Sequence, residues 1–230
     1  IAAVEITDSN ALVLGAITTT GNLTVTAGGA VTQSAALVIG GTATIAAGSS
    51  YDITLNNASN NFATAIITSG NNVTLVDAGA IALGASTVSG TYSVTAPGAV
   101  TQSGALAITG ATTISASGYN VTLNEATNNF VGAVGITGAV VSVVDAGAII
   151  LGASTVSGTY AVTATAGGGI TDSGVLAITG ASTLTVAGGQ SIILDQSSTF
   201  SSTVAFASSG GGAIAAVEIT DSNALVLGAI

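Results

Sequence analysis

The stretch Asp77–Tyr92, DAGAIALGASTVSGTY, decides the fold, because it returns with one substitution as Asp145–Tyr160, DAGAIILGASTVSGTY. A shorter relative, DSNALVLGAI, begins at Asp8 and returns from Asp221. The four starting aspartates are therefore 69, 68 and 76 residues apart (8, 77, 145, 221). Self-similarity at a fixed period is typical of solenoids and other repeat arrays. The sequence predicts a repeat architecture.

A longer period contains this one. Ile1–Ile17 is identical to Ile214–Ile230, which defines a super-repeat of 213 residues (214 − 1). This return predicts a fibre whose sequence carries on in both directions. We expect residues 1–230 to form one continuous segment, with modules at about 8–76, 77–144 and 145–220 and the start of the next copy at 221–230.

Two blocks recur inside the modules. The first block is VTQS from Val31, VTQS from Val100 and ITDS from Ile170. The second block is LNNASNNF from Leu55, LNEATNNF from Leu123 and the degraded LDQSSTF from Leu194. The third module then departs from the pattern, since Ser201–Ala216 has no counterpart of NNVTLVDAG.

Between the blocks, apolar and polar residues alternate in short runs that are rich in β-branched residues and bounded by Gly, Asn and Ser. This pattern predicts strands joined by turns, and no stretch has the 3.6-residue period of a helix. Strands of four to six residues, at about 23 residues per rung, predict an all-β parallel β-helix with roughly three rungs per module of about 70 residues. At ~4.8 Å per rung, a module would rise about 14 Å and the super-repeat about 43 Å.

The alternation also predicts which side chains point inwards. They are Ile81, Leu83, Val94, Val100, Leu106, Ile108, Ile114, Val121, Leu123, Val134, Ile136, Val141 and Val143. Thr and Ser would face outwards, and Ala and Gly would occupy the corners, where glycine allows a positive φ. Burial along the stack would supply the cohesion that a single rung cannot.

The composition excludes several classes of protein. The chain has no Lys, Arg, His, Cys, Met or Trp, ten acidic residues, 48% hydrophobic residues and only 4% charged ones. Nucleic acid is excluded as a partner because its affinity comes largely from Lys and Arg that neutralise phosphates. No run approaches the eighteen or so apolar residues of a membrane-spanning helix. The sequence therefore predicts that the chain is not an integral membrane protein.

Catalytic chemistry has few candidates. Without His, Cys or Lys there is no hydrolase triad and no thiol or imine catalysis, so we expect that the chain is not an enzyme. The only close acidic pairs are Glu5 with Asp8 and their repeats Glu218 with Asp221, in EITDS. Oxygen ligands suit Ca²⁺, which makes these four residues the metal candidates, but the GGxGxDxUx calcium motif is absent. No cofactor is predicted, with calcium as the alternative, and aspartates such as Asp77 and Asp145 are predicted to cap turns.

Three other sets of side chains allow two interpretations each. The asparagines could form a polar binding stripe, but left-handed corners and stacked ladders are the favoured interpretation; they are Asn56, Asn57, Asn60, Asn61, Asn124, Asn128 and Asn129. Phe62, Phe130 and Phe200 are predicted as core plugs rather than a sugar-stacking platform. The Thr-x-Thr pairs at 18–20, 24–26 and 42–44 suggest an ice-binding face, although Thr is also a favoured outward strand residue.

The sequences GALAITGATTISASGYNVTLNEATNNFVGAVGITG and VDAGAIILGASTVSGTYAVTATAGGGITDSG resemble the central repeats of giant bacterial surface adhesins of the filamentous-haemagglutinin type. The resemblance covers essentially the whole chain. It implies a right-handed parallel β-helical shaft, export by a partner outer-membrane protein in two-partner secretion, and a role in adhesion, aggregation or biofilm. It carries over no functional residue, because shaft repeats have none to match.

Together these observations predict a non-enzymatic fibre segment located outside the cell or at the bacterial cell surface. As an adhesin shaft it would hold a distant binding domain towards a host or bacterial cell surface. As a self-assembling matrix or sheath filament, its repeats would associate with neighbouring copies. Ice-binding and calcium-binding β-solenoids are minor alternatives. Since every ionic side chain is negative, lateral contacts would use Thr, Ser and Ala surfaces or divalent ions.

Overall fold

Short alternating runs between small and polar corner residues form strands of two to ten residues. The computed structural model describes residues 1–230 and contains 29 strands and no helix. The chain is an all-β parallel β-solenoid of about 11 turns, and every strand pairing along it is parallel. The predicted fold class is confirmed.

The strands have the following bounds. The first nine are β1 Ala3–Asp8, β2 Leu12–Leu14, β3 Ile17–Thr19, β4 Asn22–Ala27, β5 Val31–Gln33, β6 Leu37–Ala46, β7 Ile53–Leu55, β8 Asn61–Ser69 and β9 Val73–Val76. The next ten are β10 Ile81–Leu83, β11 Ser86–Val88, β12 Tyr92–Thr95, β13 Val100–Gln102, β14 Leu106–Ile108, β15 Thr112–Ser115, β16 Val121–Leu123, β17 Asn129–Phe130, β18 Val134–Gly138 and β19 Val141–Asp145. The last ten are β20 Ile149–Leu151, β21 Ser154–Val156, β22 Tyr160–Ala164, β23 Ile170–Asp172, β24 Leu176–Ile178, β25 Ser182–Ala187, β26 Ser191–Phe200, β27 Thr203–Ser209, β28 Ala216–Asp221 and β29 Val226–Leu227.

Two broad sheets run the length of the solenoid. Sheet 1 has the order β1-β4-β6-β8-β10-β13-β16-β19-β22-β25-β27-β29. Sheet 2 has the order β2-β5-β7-β9-β12-β15-β18-β20-β23-β26, and β28 pairs with β26 at its end. The chain alternates between the two sheets, so each pair of crossings completes one turn.

The turns are shorter than the sequence suggested. In sheet 1, Ala3 pairs with Asn22, an offset of 19 residues (22 − 3). In sheet 2, Val31 pairs with Ile53, an offset of 22 (53 − 31), and Ile53 pairs with Val73, an offset of 20 (73 − 53). The corners absorb fewer residues than a division of the module by three assumed.

A module consequently spans three and a half turns. From β5 the chain crosses β6, β7, β8, β9, β10, β12 and β13, seven half-turns, before VTQ returns. The block at Val31 therefore lies in sheet 2, its copy at Val100 in sheet 1 and the copy at Ile170 in sheet 2. Three modules make ten and a half turns, and the super-repeat rises about 50 Å at ~4.8 Å per turn instead of the predicted value of about 43 Å.

A third, short side completes each module, and it ends at a phenylalanine. The three short ladders are Thr19-Ile39-Phe62, Val88-Ile108-Phe130 and Val156-Ile178-Phe200. In the first and third modules the short side follows sheet 2, whereas in the second it follows sheet 1. The half-turn thus places successive short sides on opposite edges of the solenoid.

One core fills the interior. A single cluster of 51 buried hydrophobic residues runs through the turns, and every residue predicted to point inwards belongs to it. Phe62, Phe130 and Phe200 are also buried, as predicted for core plugs. Fully burying a Val, Leu or Ile side chain contributes roughly 1.5–3 kcal/mol, so cohesion is distributed along the whole axis.

The corners differ from the prediction. No residue other than glycine has a positive φ, so the asparagines do not occupy left-handed corners. Glycine instead allows close stacking in places: the Gly110 N–H donates to the Gly90 carbonyl oxygen at 2.9 Å, and a Cβ on Gly132 would lie 2.4 Å from the Gly110 carbonyl. Backbone approach, rather than φ, requires glycine in this column.

Candidate functional site

The acidic metal candidates lie at the two ends of the solenoid. Glu5 and Asp8 belong to β1 in the first turn, and Glu218 and Asp221 belong to β28 in the last. Residues three apart on a strand point to opposite faces, and Glu5 is exposed whereas Asp8 is partly buried. The structure therefore does not bring the members of either pair together, and no three His, Cys, Asp or Glu side chains cluster anywhere in residues 1–230. Calcium binding stays a prediction.

The most developed polar constellation is internal and centres on the amide of Asn60. This side chain is buried; its Nδ2 donates to Gln33 Oε1 at 2.9 Å and to the carbonyl oxygens of Leu55 and Val76 at 3.1 and 3.2 Å. Its Oδ1 accepts from the Leu37 N–H at 2.9 Å and from Gln33 Nε2 at 2.8 Å. One amide thus links three successive turns.

Asn128 repeats this arrangement half a turn out of phase. Its Nδ2 donates to Gln102 Oε1 at 3.1 Å and to the carbonyl oxygens of Leu123 and Val144 at 3.3 and 3.1 Å. Its Oδ1 accepts from the Leu106 N–H at 2.9 Å and from Gln102 Nε2. A buried amide costs free energy unless its hydrogen-bonding capacity is used, and here both its ends are satisfied.

The third module replaces both partners together. Asp172 stands where the other modules have Gln, and Ser198 stands where they have Asn. Ser198 Oγ still accepts the Leu176 N–H at 3.0 Å, while Asp172 Oδ1 accepts the Asp195 N–H at 2.9 Å. This joint change was a sequence signal for the pairing, because the Gln of VTQS and the third Asn of the NNASNN block occur or disappear together.

A second repeated device ties a carboxylate to the preceding turn. Asp77 Oδ2 accepts the Phe62 N–H at 2.6 Å, and its Oδ1 accepts the Gly79 N–H at 2.8 Å. Asp145 does the same with Phe130 at 2.7 Å and Gly147 at 2.6 Å. The predicted capping of turns is confirmed, and the same carboxylates also anchor the phenylalanine strands.

Burial sets the titration of these carboxyls. It raises the pKa of Asp77, and the N–H groups of Phe62 and Gly79 offset part of that rise. Burial likewise raises the pKa of Asp145. In the third module, burial and then the neighbouring Asp195 raise the pKa of Asp172 against the backbone hydrogen bonds that lower it.

Acidification from about pH 7 to about pH 4 is therefore expected to stabilise the fold. An aspartate whose folded pKa lies above its unfolded value of 3.8 binds its proton more tightly in the folded state. Its contribution is fully present below the unfolded pKa and is lost as the pH rises through the folded pKa. Urea titrations followed by circular dichroism across this range should show a rising unfolding midpoint as the pH falls.

The pH experiment has two controls. The double variant Asp77→Asn, Asp145→Asn should show a shallower pH dependence, because two of the responsible carboxyls are gone. Relief of general repulsion at a formal net charge of −10 acts in the same direction, but salt screens it between exposed charges, so the difference between the variants should persist in about 0.5 M salt. A midpoint that falls steadily with acid would contradict the prediction.

The outer face of sheet 2 carries an unbroken column of hydroxyl groups. Five side chains stack on consecutive turns: Thr32, Thr54, Thr74, Ser93 and Thr113. A second column beside it holds Thr95, Ser115, Thr137 and Thr155. We call these nine residues the hydroxyl face. Neither column contains an acidic side chain, so this surface can approach another copy without opposing carboxylates.

The Thr-x-Thr pairs singled out in the sequence do not form such a ladder. Thr24 stacks on Thr44, but Ile66 follows in the next turn. Thr26 is followed directly by Ala46. The hydroxyl face was missed because its residues are 19 to 22 positions apart (54 − 32, 74 − 54, 93 − 74, 113 − 93) and no local motif marks them.

Two grooves are present. One, of about 360 Å³, lies beside the hydroxyl face and is lined by Thr95, Pro97, Ser115, Ser117 and Asp77, among others. The other, of about 590 Å³, is the open top of the core, between Phe206, Ile214, Val217 and Ile230. Neither groove brings the metal candidates Glu218 and Asp221 into its lining. The structure contains no helix long and apolar enough to cross a membrane.

Comparison with known families gives one match. A family described as repeats of unknown function (DUF5649) matches residues 2–69, 70–137 and 137–207. No curated protein and no solved structure matches the chain. The matched segments are 68, 68 and 71 residues long (69 − 1, 137 − 69, 207 − 136), so the family's unit is the module of three and a half turns.

Proposed function

Because the chain belongs to the DUF5649 family of repeats, we propose that these repeats serve a mechanical purpose, as a stiff and non-catalytic shaft in an extracellular or cell-surface fibre. The observation that carries the proposal is the single hydrophobic cluster through about 11 turns. Each turn of a solenoid contacts only its neighbours, so an uninterrupted core couples all turns into one rod. Length and stiffness are the properties that such a rod offers.

The polar anchors support the same role. Asn60 and Asn128 each join three successive turns through five or six hydrogen bonds. Asp77 and Asp145 tie each corner to the strand below. These contacts resist slippage between turns, which the uniform apolar ladder alone would tolerate. A shaft needs a fixed register more than it needs a reactive site.

The exterior suits a fibre that meets other surfaces. The hydroxyl face is uncharged, and all ten ionic side chains are negative. We propose that adhesion, aggregation or biofilm formation uses this face for lateral contact, as the resemblance to filamentous-haemagglutinin-type repeats also suggests. Bundling that survives excess chelator would rule out divalent ions as the bridging agent and leave the hydroxyl face.

The shaft proposal predicts rods whose length is proportional to the number of repeats. Tandem arrays of one, two and four 213-residue units, imaged by electron microscopy, should lengthen by about 50 Å per unit, at ~4.8 Å per turn. Collapsed or branched particles of constant length would contradict a stiff shaft. The location is tested separately, with an antibody that should label intact cells as strongly as permeabilised ones.

Imaging of native secreted material separates the shaft from a filament whose repeats are themselves the product. Slender single rods that are rooted in the envelope and end in a distinct tip would favour the shaft. Long filaments with an axial repeat near 50 Å, built from many associated chains, would favour the matrix or sheath.

A further inference from the structure

The two terminal turns of the solenoid have the same sequence but opposite free edges. We propose that residues 214–230 of one copy replace residues 1–17 in a second copy, so that two copies join head to tail into one continuous solenoid. The partner is a second copy of this chain. The inference rests on the geometry of the terminal turns and holds or fails independently of the shaft role, since a rod that does not join its copies is still a rod.

The lower edge of the shared turn has a defined partner. In the last turn, β28 pairs with β26, with Ser191 opposite Ala216 and Leu194 opposite Ile219. The Phe200 N–H also donates to Asp221 Oδ1 at 3.1 Å, which repeats the anchoring that Asp77 gives to Phe62. The segment 214–230 is therefore seated correctly on the turn that precedes it.

The upper edge of the same sequence also has a defined partner, seen in the first turn. There β1 pairs with β4 over six residues without a register shift, from Ala3 opposite Asn22 to Asp8 opposite Ala27. Since β28 is identical to β1, β4 of a second copy offers it the same six pairs. The structure thus supplies a complete set of neighbours for this turn, one half from each end.

Exposure shows what the exchange would cover. Leu14, in the first turn, is 2% exposed, whereas its counterpart Leu227 in the last turn is 51% exposed. Ile230 is 76% exposed, and its counterpart Ile17 is only partly buried. Residues 214–230 therefore carry apolar side chains that the turn above would bury.

Charge disfavours the simpler alternative, in which the intact ends stack on each other. Stacking β28 under β1 in register would place Glu218 against Glu5 and Asp221 against Asp8, at the ~4.8 Å spacing of paired strands, in a chain without a cationic side chain. Exchange instead sets Glu218 beside Thr24 and Asp221 beside Ala27, as β1 sets Glu5 and Asp8.

The half-turn of each module fits this junction. Because β1 lies in sheet 1 and β28 lies in sheet 2, sheet 2 of the first copy would continue into sheet 1 of the second. Successive copies would be rotated by half a turn, the rotation that already relates successive modules within the chain.

The exchange is tested with full-length chains that each lose one of the two identical turns. Ile6→Asp loosens residues 1–17 and frees β4, and Ile219→Asp, in the same local sequence, loosens residues 214–230 and frees β26. Each single variant keeps one intact copy of the turn and should form head-to-tail chains in sedimentation velocity, at a concentration at least about tenfold lower than the unsubstituted protein, a difference worth about 1.4 kcal/mol. The double variant keeps no intact copy and should stay monomeric.

Two outcomes would overturn the exchange. Single variants that assemble no better than the unsubstituted chain would show that a free edge is not an acceptor. A double variant that assembles as well as the single ones would show that association follows from loosened apolar residues and not from the shared turn.

Cross-linking reads the register directly, because the chain has no cysteine. In the exchanged junction Thr220 takes the place of Thr7 and lies opposite Thr26 of the next copy, within the ~4.4–6.8 Å that disulfides span between Cα atoms. Thr26→Cys with Thr220→Cys, in the Ile6→Asp background, should give a reducible ladder of linked chains that neither single cysteine gives. Linking through Thr7→Cys with Thr220→Cys in the otherwise unsubstituted chain, without the first ladder, would identify stacked intact ends and refute the exchange.

Discussion

Replacing Asn128 with Ala is expected to cost about 4 kcal/mol of local stability. The Leu106 N–H and the carbonyl oxygens of Leu123 and Val144 would lose their partner in the interior, and each unsatisfied buried group costs about 1–3 kcal/mol. The effect should be confined to neighbouring turns, because solenoid turns contact only their neighbours. Native-state hydrogen exchange of the Leu106 amide should accelerate by about three orders of magnitude, at ~1.4 kcal/mol per tenfold.

Asn129 supplies the matched control. It adjoins Asn128 in the sequence, but its side chain is exposed, and surface substitutions away from special features usually change stability by no more than about 0.5 kcal/mol. Asn129→Ala should therefore leave the Leu106 amide unchanged. Equal effects of the two substitutions would contradict the role given to the buried amide.

The third module provides a second comparison for Asn128. The double variant Gln102→Asp, Asn128→Ser reproduces the pair Asp172 and Ser198, in which the serine hydroxyl still accepts an N–H. It should lose less stability than Asn128→Ala. A loss as large as that of Asn128→Ala would show that the serine solution depends on other features of the third module.

Phe130→Ala is expected to have an effect of similar size, about 3–5 kcal/mol, through a different mechanism. The phenyl ring is 1% exposed and closes the short side above Ile108. Truncation removes its apolar contacts and leaves a cavity that the stacked strands can fill only partly. Urea unfolding followed by circular dichroism should show an early transition that the unsubstituted protein lacks, because the break divides the continuous core.

The neighbouring Val131 is the control for Phe130, since it is 56% exposed. Val131→Ala should change the unfolding curve by no more than about 0.5 kcal/mol. Phe130→Leu, which retains most of the volume, should cost less than about 1.5 kcal/mol. If Phe130→Ala and Val131→Ala behaved alike, the phenylalanine would not be a structural plug.

The local pattern of the sequence was sufficient for the fold class and for much of the interior. Alternation points every second side chain inwards, which is why the positions from Ile81 to Val143 were assigned correctly. The turn-capping role of Asp77 and Asp145 followed from their place at the ends of strands. These features depend on neighbours in the chain, and a sequence shows its neighbours directly.

The polar anchor was harder to identify. Among seven similar asparagines, only Asn60 and Asn128 are buried, and the partners Gln33 and Gln102 lie 27 and 26 residues away. Whether an asparagine turns inwards depends on which carbonyl groups the adjacent turns present. The joint replacement by Asp172 and Ser198 was the only sequence trace of this contact.

The sequence by itself determined the repeat, the strands and the inward-facing side chains, because a two-residue alternation and a 69-residue period are both properties of the chain read in order. Only the tertiary structure decided that a module contains three and a half turns, so that copies of Val31 alternate between the two broad sheets. The length of a turn is set by how corners pack on the turns above and below. A sequence period therefore need not be a whole number of turns.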